Sequence, residues 1–236
     1  MDFYFDTING FGHITHEDFI YNPVVFVPSP SEYEFCLEKG LLPDEANGEG
    51  KEWFASRSTR INVANFVPNK TAKRLSSKVD IIKHEFIYES SWSRITRLFK
   101  EYCDYKKFDN PYDIELLCRN NLKQKNILLY YYDLKLIGCT IFRVIGSNMV
   151  SLQFITDYSH PELSLGKVAQ IAEIDFCKAN NLKYCYLMPA YESSCLYKAD
   201  FHGLEWFDGK VWKTDMVQLK QLMLNDEKVK IIDERI

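Results

Sequence analysis

Apolar positions recur along the chain with two different periods, and the changes between them mark out its elements. Trp92, Ile95, Leu98, Phe99 and Tyr102 fall at i, i+3, i+6, i+7 and i+10, leaving Arg94, Arg97 and Lys100 for another face, which predicts an amphipathic helix. From Asn126 the pattern turns to runs that suit strands: ILLYYY, LKLIGCTIFRV and MVSLQFIT. Polar turn residues at Asp133 and at Gly146, Ser147 and Asn148 separate them, so three consecutive antiparallel strands are expected. The segment DYSHPEL then leads into Leu165, Val168, Ala169, Ala172, Phe176 and Ala179, whose helical spacing stops at Asn180 and Asn181. LKYCYLM follows as a short buried strand. Upstream, residues 40–51 (GLLPDEANGEGK) collect turn formers and read as a surface loop. Ile61, Val63, Phe66 and Val67 then give an extended apolar segment, and KVDIIKHEFIYESSW a second strand. After Asp215, the residues Met216, Leu219, Leu222 and Met223 have near-helical spacing.

The predicted class is α/β of the α+β kind. A smaller N-terminal α/β region over residues 1–90 precedes a domain over 91–236, built from the meander, a crossover helix and a further strand. At 236 residues, 46% apolar and with only 10 Gly and 8 Pro, the chain can bury an independent core. Seven cysteines without a CxxC pair indicate reduced, mostly buried thiols. The opening MDFYFDTING lacks a basic region followed by an apolar core, and no stretch has the roughly 18 apolar residues of a membrane span. A cytoplasmic protein with no membrane partner is expected.

A formal charge of -4 argues against an overall basic coat, but it leaves room for a local one. Residues 57–79 hold Arg57, Arg60, Lys70, Lys73, Arg74 and Lys78 with no acidic residue, and the first predicted helix adds Arg94, Arg97 and Lys100. Such clustering fits a phosphate track or a solvated basic face.

Two segments carry a resemblance. Residues 164–212, SLGKVAQIAEIDFCKANNLKYCYLMPAYESSCLYKADFHGLEWFDGKVW, are similar to the signature region of the arginyl- and leucyl-tRNA–protein transferases, through Ser164, Leu165, Gly166, Tyr191, Cys195, Tyr197, Lys198, Phe201 and Glu205. Residues 57–74 resemble the family's Arg-Ile segment through Arg60, Ile61, Val63, Phe66, Pro68 and Arg74. The resemblance implies a GNAT-like acyltransferase core and an aminoacyl-tRNA donor that is a co-substrate, with no cofactor. The acceptor it implies is an amine, for the family the N-terminal residue of a protein or peptide.

The chain departs from the family in two places. Trp53 and Ser56 stand near where the family's N-terminal cysteines would fall, and the pair His13 and His16 has no cysteine partners, so no metal is expected. The middle strand carries Thr140 where family members tend to have an Asp, with Arg143 three residues on, which would alter a site contacting a substrate amine.

Transfer from a tRNA ester to an amine needs a placed amine, somewhere for its proton and stabilisation of an oxyanion. The turn Ser164, Leu165, Gly166 and Lys167 offers helix-start N–H groups to the donor, although Ser164 as a plain cap fits the spacing equally. Tyr191 and Tyr197 can line the donor pocket or simply fill core. Lys198 is a candidate for meeting phosphate or a carbonyl oxygen, and Asp157 is the candidate base. Cys195 lacks a neighbouring histidine and reads as a packed thiol. Three alternatives stay open: the same donor with a small-molecule acceptor, a CoA-dependent GNAT N-acyltransferase, and a non-catalytic tRNA-binding module. The single glycine of the donor loop disfavours CoA.

Overall fold

The computed structural model describes residues 3–5, 21–43, 53–68, 70–84, 89–107, 125–191 and 193–233. His13 and His16 lie outside them. The chain begins with β1 (Phe3–Phe5), β2 (Tyr21–Phe26), α1 (Tyr33–Glu38), β3 (Leu41–Pro43) and β4 (Trp53–Ser56). These strands form an antiparallel sheet in the order β1-β2-β4-β3. Then come β5 (Ser58–Asn62), α2 (Lys70–Ser76), β6 (Asp80–His84) and α3 (Glu89–Lys106). The meander is β7 (Lys125–Tyr132), β8 (Lys135–Ile145) and β9 (Asn148–Thr156). After it follow α4 (Leu165–Ala179), β10 (Tyr184–Pro189), β11 (Leu204–Phe207), β12 (Trp212–Lys213) and α5 (Met216–Asp233).

A second sheet of eight strands runs β12-β11-β5-β10-β9-β8-β7-β6 and is antiparallel except where β9 meets β10. Meander, crossover helix and parallel strand thus appear in the expected order, and the predicted α/β class holds. Two expectations change. Leu41–Pro43, assigned to a loop, are buried and pair with β4, because two leucines in a short apolar stretch outweigh the turn formers that follow. Residues 1–90 do not stand apart either, since β5 and β6 are strands of the eight-stranded sheet.

The central strands bury both faces, which is why their sequences read as apolar runs rather than alternation. Ile127, Leu129, Cys139, Ile141 and Ile155 meet α3 through Ile95, Leu98 and Phe99 of the stripe predicted from the sequence, joined by Cys103 and with Tyr102 packed against them. Leu128, Tyr130, Phe142 and Met149 face the opposite way, against Leu165, Val168, Ala169 and Ala172 of α4. Leu75 and Val79 bring α2 onto this α4 side, and Leu219 and Met223 seat α5 there. Beyond α3, the other face is covered by Cys36 and Leu37 of α1 with Leu41, Leu42 and Trp53, packed on Ile145, Val150, Leu152 and Tyr186. Burying each of Ile95, Leu98 and Phe99 contributes about 1.5–3 kcal/mol, so a charge at Leu98 would detach α3.

Among the described residues, no helix is long and apolar enough to cross a membrane and no three His, Cys, Asp or Glu residues gather as metal ligands. Cys36, Cys103, Cys139, Cys177, Cys185 and Cys195 are free thiols.

Candidate active site at a split in the sheet

Strands β9 and β10 pair only from Asn148–Val150 to Tyr184–Tyr186. Beyond that point β9 continues to Thr156 and β10 to Pro189 without pairing to each other, which opens a wedge in the middle of the sheet. Here β10 also slips register against β5 between Tyr186 and Pro189, and Met188 adopts φ +62°. A non-glycine residue in the left-handed region is uncommon, and such strain gathers at functional sites.

The same end of the sheet launches α4. Gly138 lets it come close: a Cβ there would lie 2.7 Å from Leu165 Cδ2 and 2.9 Å from the Ile155 carbonyl oxygen. Ser164 does not cap the helix through its side chain; it sits at φ +47°, and its carbonyl accepts the Lys167 N–H at 2.8 Å. The amides of Leu165 and Gly166 therefore take no acceptor among the described residues, and they stand at the positive end of the helix dipole. Gly166 faces Tyr197, whose ring would lie 3.6–3.7 Å from an added Cβ, with Phe154 at 3.9 Å. Lys167 is partly exposed and pairs with Asp200 at 3.7 Å. The predicted donor residues Ser164, Leu165, Gly166, Lys167 and Tyr197 are thus brought together. Tyr191 is engaged elsewhere: its hydroxyl accepts the Arg57 N–H at 3.4 Å and its ring lies 5.6 Å from the Arg57 guanidinium.

The two candidate catalytic residues take different places from those expected. Lys198 is buried, and its Nζ donates to the carbonyls of Leu187 at 2.7 Å and Pro189 at 2.8 Å, in the stretch of β10 that has left β9. Burial lowers its pKa against the pull of Cys195 and Glu173. It acts as a clamp on the split strand, a positioning residue rather than a ligand for phosphate. Asp157 is poorly suited to be a base. Burial alone would raise its pKa, but hydrogen bonds from Ser159 and from Lys135, the latter at 2.9 Å, hold it at about 2.

A different carboxylate carries the unusual proton affinity. Glu173 of α4 is 2% exposed, and burial lifts its pKa to about 7 despite hydrogen bonds with Thr140 and Ser151, the latter at 3.1 Å, and the charge of Lys198. Tyr130 and Thr140 hydroxyls meet at 2.8 Å. Because Thr140 donates to the ionised Glu173, Tyr130 must then donate to Thr140, which makes a short relay inside the core. Thr140 therefore belongs to a buried polar cluster, while Arg143 lies on the opposite face, 5.7 Å from the Tyr33 ring. The expected joint effect of these two residues on one amine site does not arise. Glu173 had a sequence signal: it falls four residues after Ala169 and three before Phe176, a lone charge on an apolar stripe.

Residues 86–208 match the family model for the C terminus of arginine-tRNA-protein transferase. The chain belongs to that family. Arginyl-tRNA--protein transferase 1 of Saccharomyces cerevisiae is 33% identical over 110 residues, which are 44% of this chain and 21% of the yeast protein. The chain thus spans about a fifth of the length of that relative. Among solved structures, L-PGS from Bacillus licheniformis aligns at TM-score 0.48 and 9% identity, over 91% of this chain and 74% of that one. FemX aligns at TM-score 0.45 and 7% identity, over 56% and 52%.

Within this member of the family the expected RNA contacts separate into three groups. Arg57 is 1% exposed and bidentate on Asp226 of α5, its Nη1 lying 2.9 Å from Oδ2. Arg60 is buried between the rings of Tyr184 and Trp212, each 3.9 Å away, with Nε on Glu205 at 2.7 Å. Neither guanidinium is available to phosphate, because each already holds a carboxylate inside the fold. Lys70, Lys73, Arg74 and Lys78 are exposed along the α2 segment on the α4 side. Arg94 and Arg97 are exposed on α3, on the other side of the sheet, and Arg97 approaches Glu101 at 3.8 Å. A single phosphate track through all of them is therefore corrected to two basic surfaces on opposite faces. A groove of about 540 Å³ lined by Asn62, Lys178 and Lys183, among others, lies at the far end of α4, about 20 Å from the wedge by helix length.

Proposed function

We propose that this domain transfers an amino acid from a charged tRNA to an amine, the acceptor being the N-terminal residue of a protein or peptide. The observation that carries this reading is the wedge between β9 and β10 with the unpaired amides of Leu165 and Gly166 at its mouth, in a chain of this family. The amine nitrogen attacks the ester carbonyl carbon, the ester C–O bond breaks, and the proton lost by the amine ends on the ribose hydroxyl that leaves. An α-amino group has a pKa near 8, so a useful fraction is neutral at pH 7 and no strong base is needed. What the wedge supplies is placement, together with two N–H donors for the oxyanion. Tyr197 and Gly166 shape the donor pocket, and Lys198 holds β10 away from β9 so that the ester can enter. Aminoacyl-tRNA is the co-substrate in this reading, and no cofactor takes part.

The test is a transfer assay in which purified protein meets total tRNA charged with labelled amino acids, a panel of N-terminal peptides and a cell-extract filtrate. Label on a peptide is the expected result and names the donor. Label only in the filtrate replaces the acceptor with a small molecule. Charged tRNA bound without any transfer overturns the proposal.

A further inference from the structure

Three tyrosine rings line up where β9 ends. Tyr158, just after the strand, stacks on Tyr105 of α3 with centroids 3.9 Å apart and planes 15° from parallel. Tyr102 of the same helix lies 6.1 Å from Tyr158 at 14°. The ladder stands at the wedge, because Tyr158 follows by two residues the end of β9 at Thr156, on the stretch of that strand that has left β10. Its outer end is open: Tyr105 is 62% exposed, an unusual place for a ring whose other side is already stacked.

Charge favours one occupant. Lys106 Nζ sits 5.6 Å from the Tyr158 centroid, and from Glu89 to Lys107 the helix and the residue after it carry five basic residues against Glu89, Glu101 and Asp104, in a chain of net charge -4. An exposed ring such as Tyr105, backed by a second ring and beside clustered cations, is what a single-stranded nucleic acid requires, with a base on the ring and phosphates on the cations. The α2 side, with four basic residues and no acidic one over residues 70–78, has a ring stack of Phe66 on Phe201, but both rings are buried. Resting on the transfer activity proposed above, we infer that the Tyr102–Tyr158–Tyr105 ladder is the stacking platform for the unpaired 3′ end of the tRNA donor. The strand then approaches the wedge from the α3 face and leaves the α2 face to other contacts.

The experiment compares wild type with Tyr105→Ala, Tyr105→Phe and the double variant Lys70→Glu/Lys73→Glu. Each is measured for binding of a four-nucleotide single-stranded RNA ending in CCA and for transfer at limiting charged tRNA. Tyr105 is exposed, so its substitution leaves the fold intact, which circular dichroism verifies. Tyr105→Ala should weaken binding of the oligonucleotide roughly tenfold and Tyr105→Phe much less, while the α2 variant binds the oligonucleotide like wild type. Normal oligonucleotide binding by Tyr105→Ala overturns the inference, even if wild type transfers amino acids. Loss of peptide affinity with RNA binding unchanged overturns it too, and assigns the ladder to the acceptor. RNA binding that depends on Tyr105 in a protein that transfers nothing supports the ladder while the transfer reading fails.

Discussion

The two ends of strand β10 are built in opposite ways. At Tyr184–Tyr186 the strand is paired on both sides, and Arg60 is fixed against it between Tyr184 and Trp212 with Glu205 as counter-ion. Three residues later β9 has departed, the register to β5 has slipped, Met188 has turned left-handed and a buried ammonium holds two main-chain carbonyls. Both ends use a cation, yet one locks a closed sheet with a carboxylate and aromatic faces while the other satisfies carbonyls that an open sheet leaves behind. A buried charge here follows the backbone's needs, so its presence alone does not mark a ligand site.

Removing the clamp is the severest way to break this contrast. Lys198→Met leaves two carbonyls without donors and Glu173 without its nearby cation, so stability should fall by about 3–5 kcal/mol in urea unfolding. Transfer should be lost even below the midpoint, since β10 is then free to close on β9. Glu173→Gln sharpens the comparison through pH. The native carboxyl titrates at about 7 against the ordinary 4.5, so the folded state holds the proton more tightly than the unfolded chain. Its stabilising contribution is complete below pH 4.5 and is lost as pH rises through 7, amounting to about 3 kcal/mol. Thermal melts of Glu173→Gln should therefore lack that decline, and the variant should be the more stable protein at pH 8.

Arg60→Met probes the closed end and should cost about 2 kcal/mol from the lost ion pair and ring contacts. Transfer per folded molecule should stay within twofold, which separates the locked end from the working end. Gly166→Val should leave stability nearly unchanged while pushing a side chain into the space before Tyr197. The expected reading is a roughly tenfold rise in KM for charged tRNA, equal to about 1.4 kcal/mol of binding. Least affected should be Asp157→Asn, with kcat within threefold and no new pH dependence near neutrality. A hundredfold loss there would restore Asp157 as the base.

What the sequence made legible follows from range. Ile95, Leu98 and Phe99, or Leu165, Val168 and Ala169, announce their helices because the contacts that need them recur every turn. The meander shows for the same reason, its turns being local. Leu41–Pro43 were hidden by the turn-rich residues after them, and β5 could not be placed beside β10 and β11 because those partners lie more than a hundred residues on. Arg57 and Arg60 looked like RNA contacts since composition reveals charge but not the distant carboxylate that neutralises it. Glu173 had a signal that went unread, a charge on an apolar stripe, whereas the low proton affinity of Asp157 depends on hydrogen bonds from Ser159 and from Lys135, the latter two strands and a turn away in sequence.

The ion pair between Arg57 and Asp226 spans 169 positions. During synthesis at roughly 5–20 residues per second, on the order of 10–30 seconds separate the appearance of the arginine from that of its aspartate. Through that interval the arginine has no counter-ion, and β5 also waits for both neighbouring strands. The sheet can therefore close only late in translation, and a nascent chain halted before Tyr184 would expose the β5 edges to whatever strand they meet.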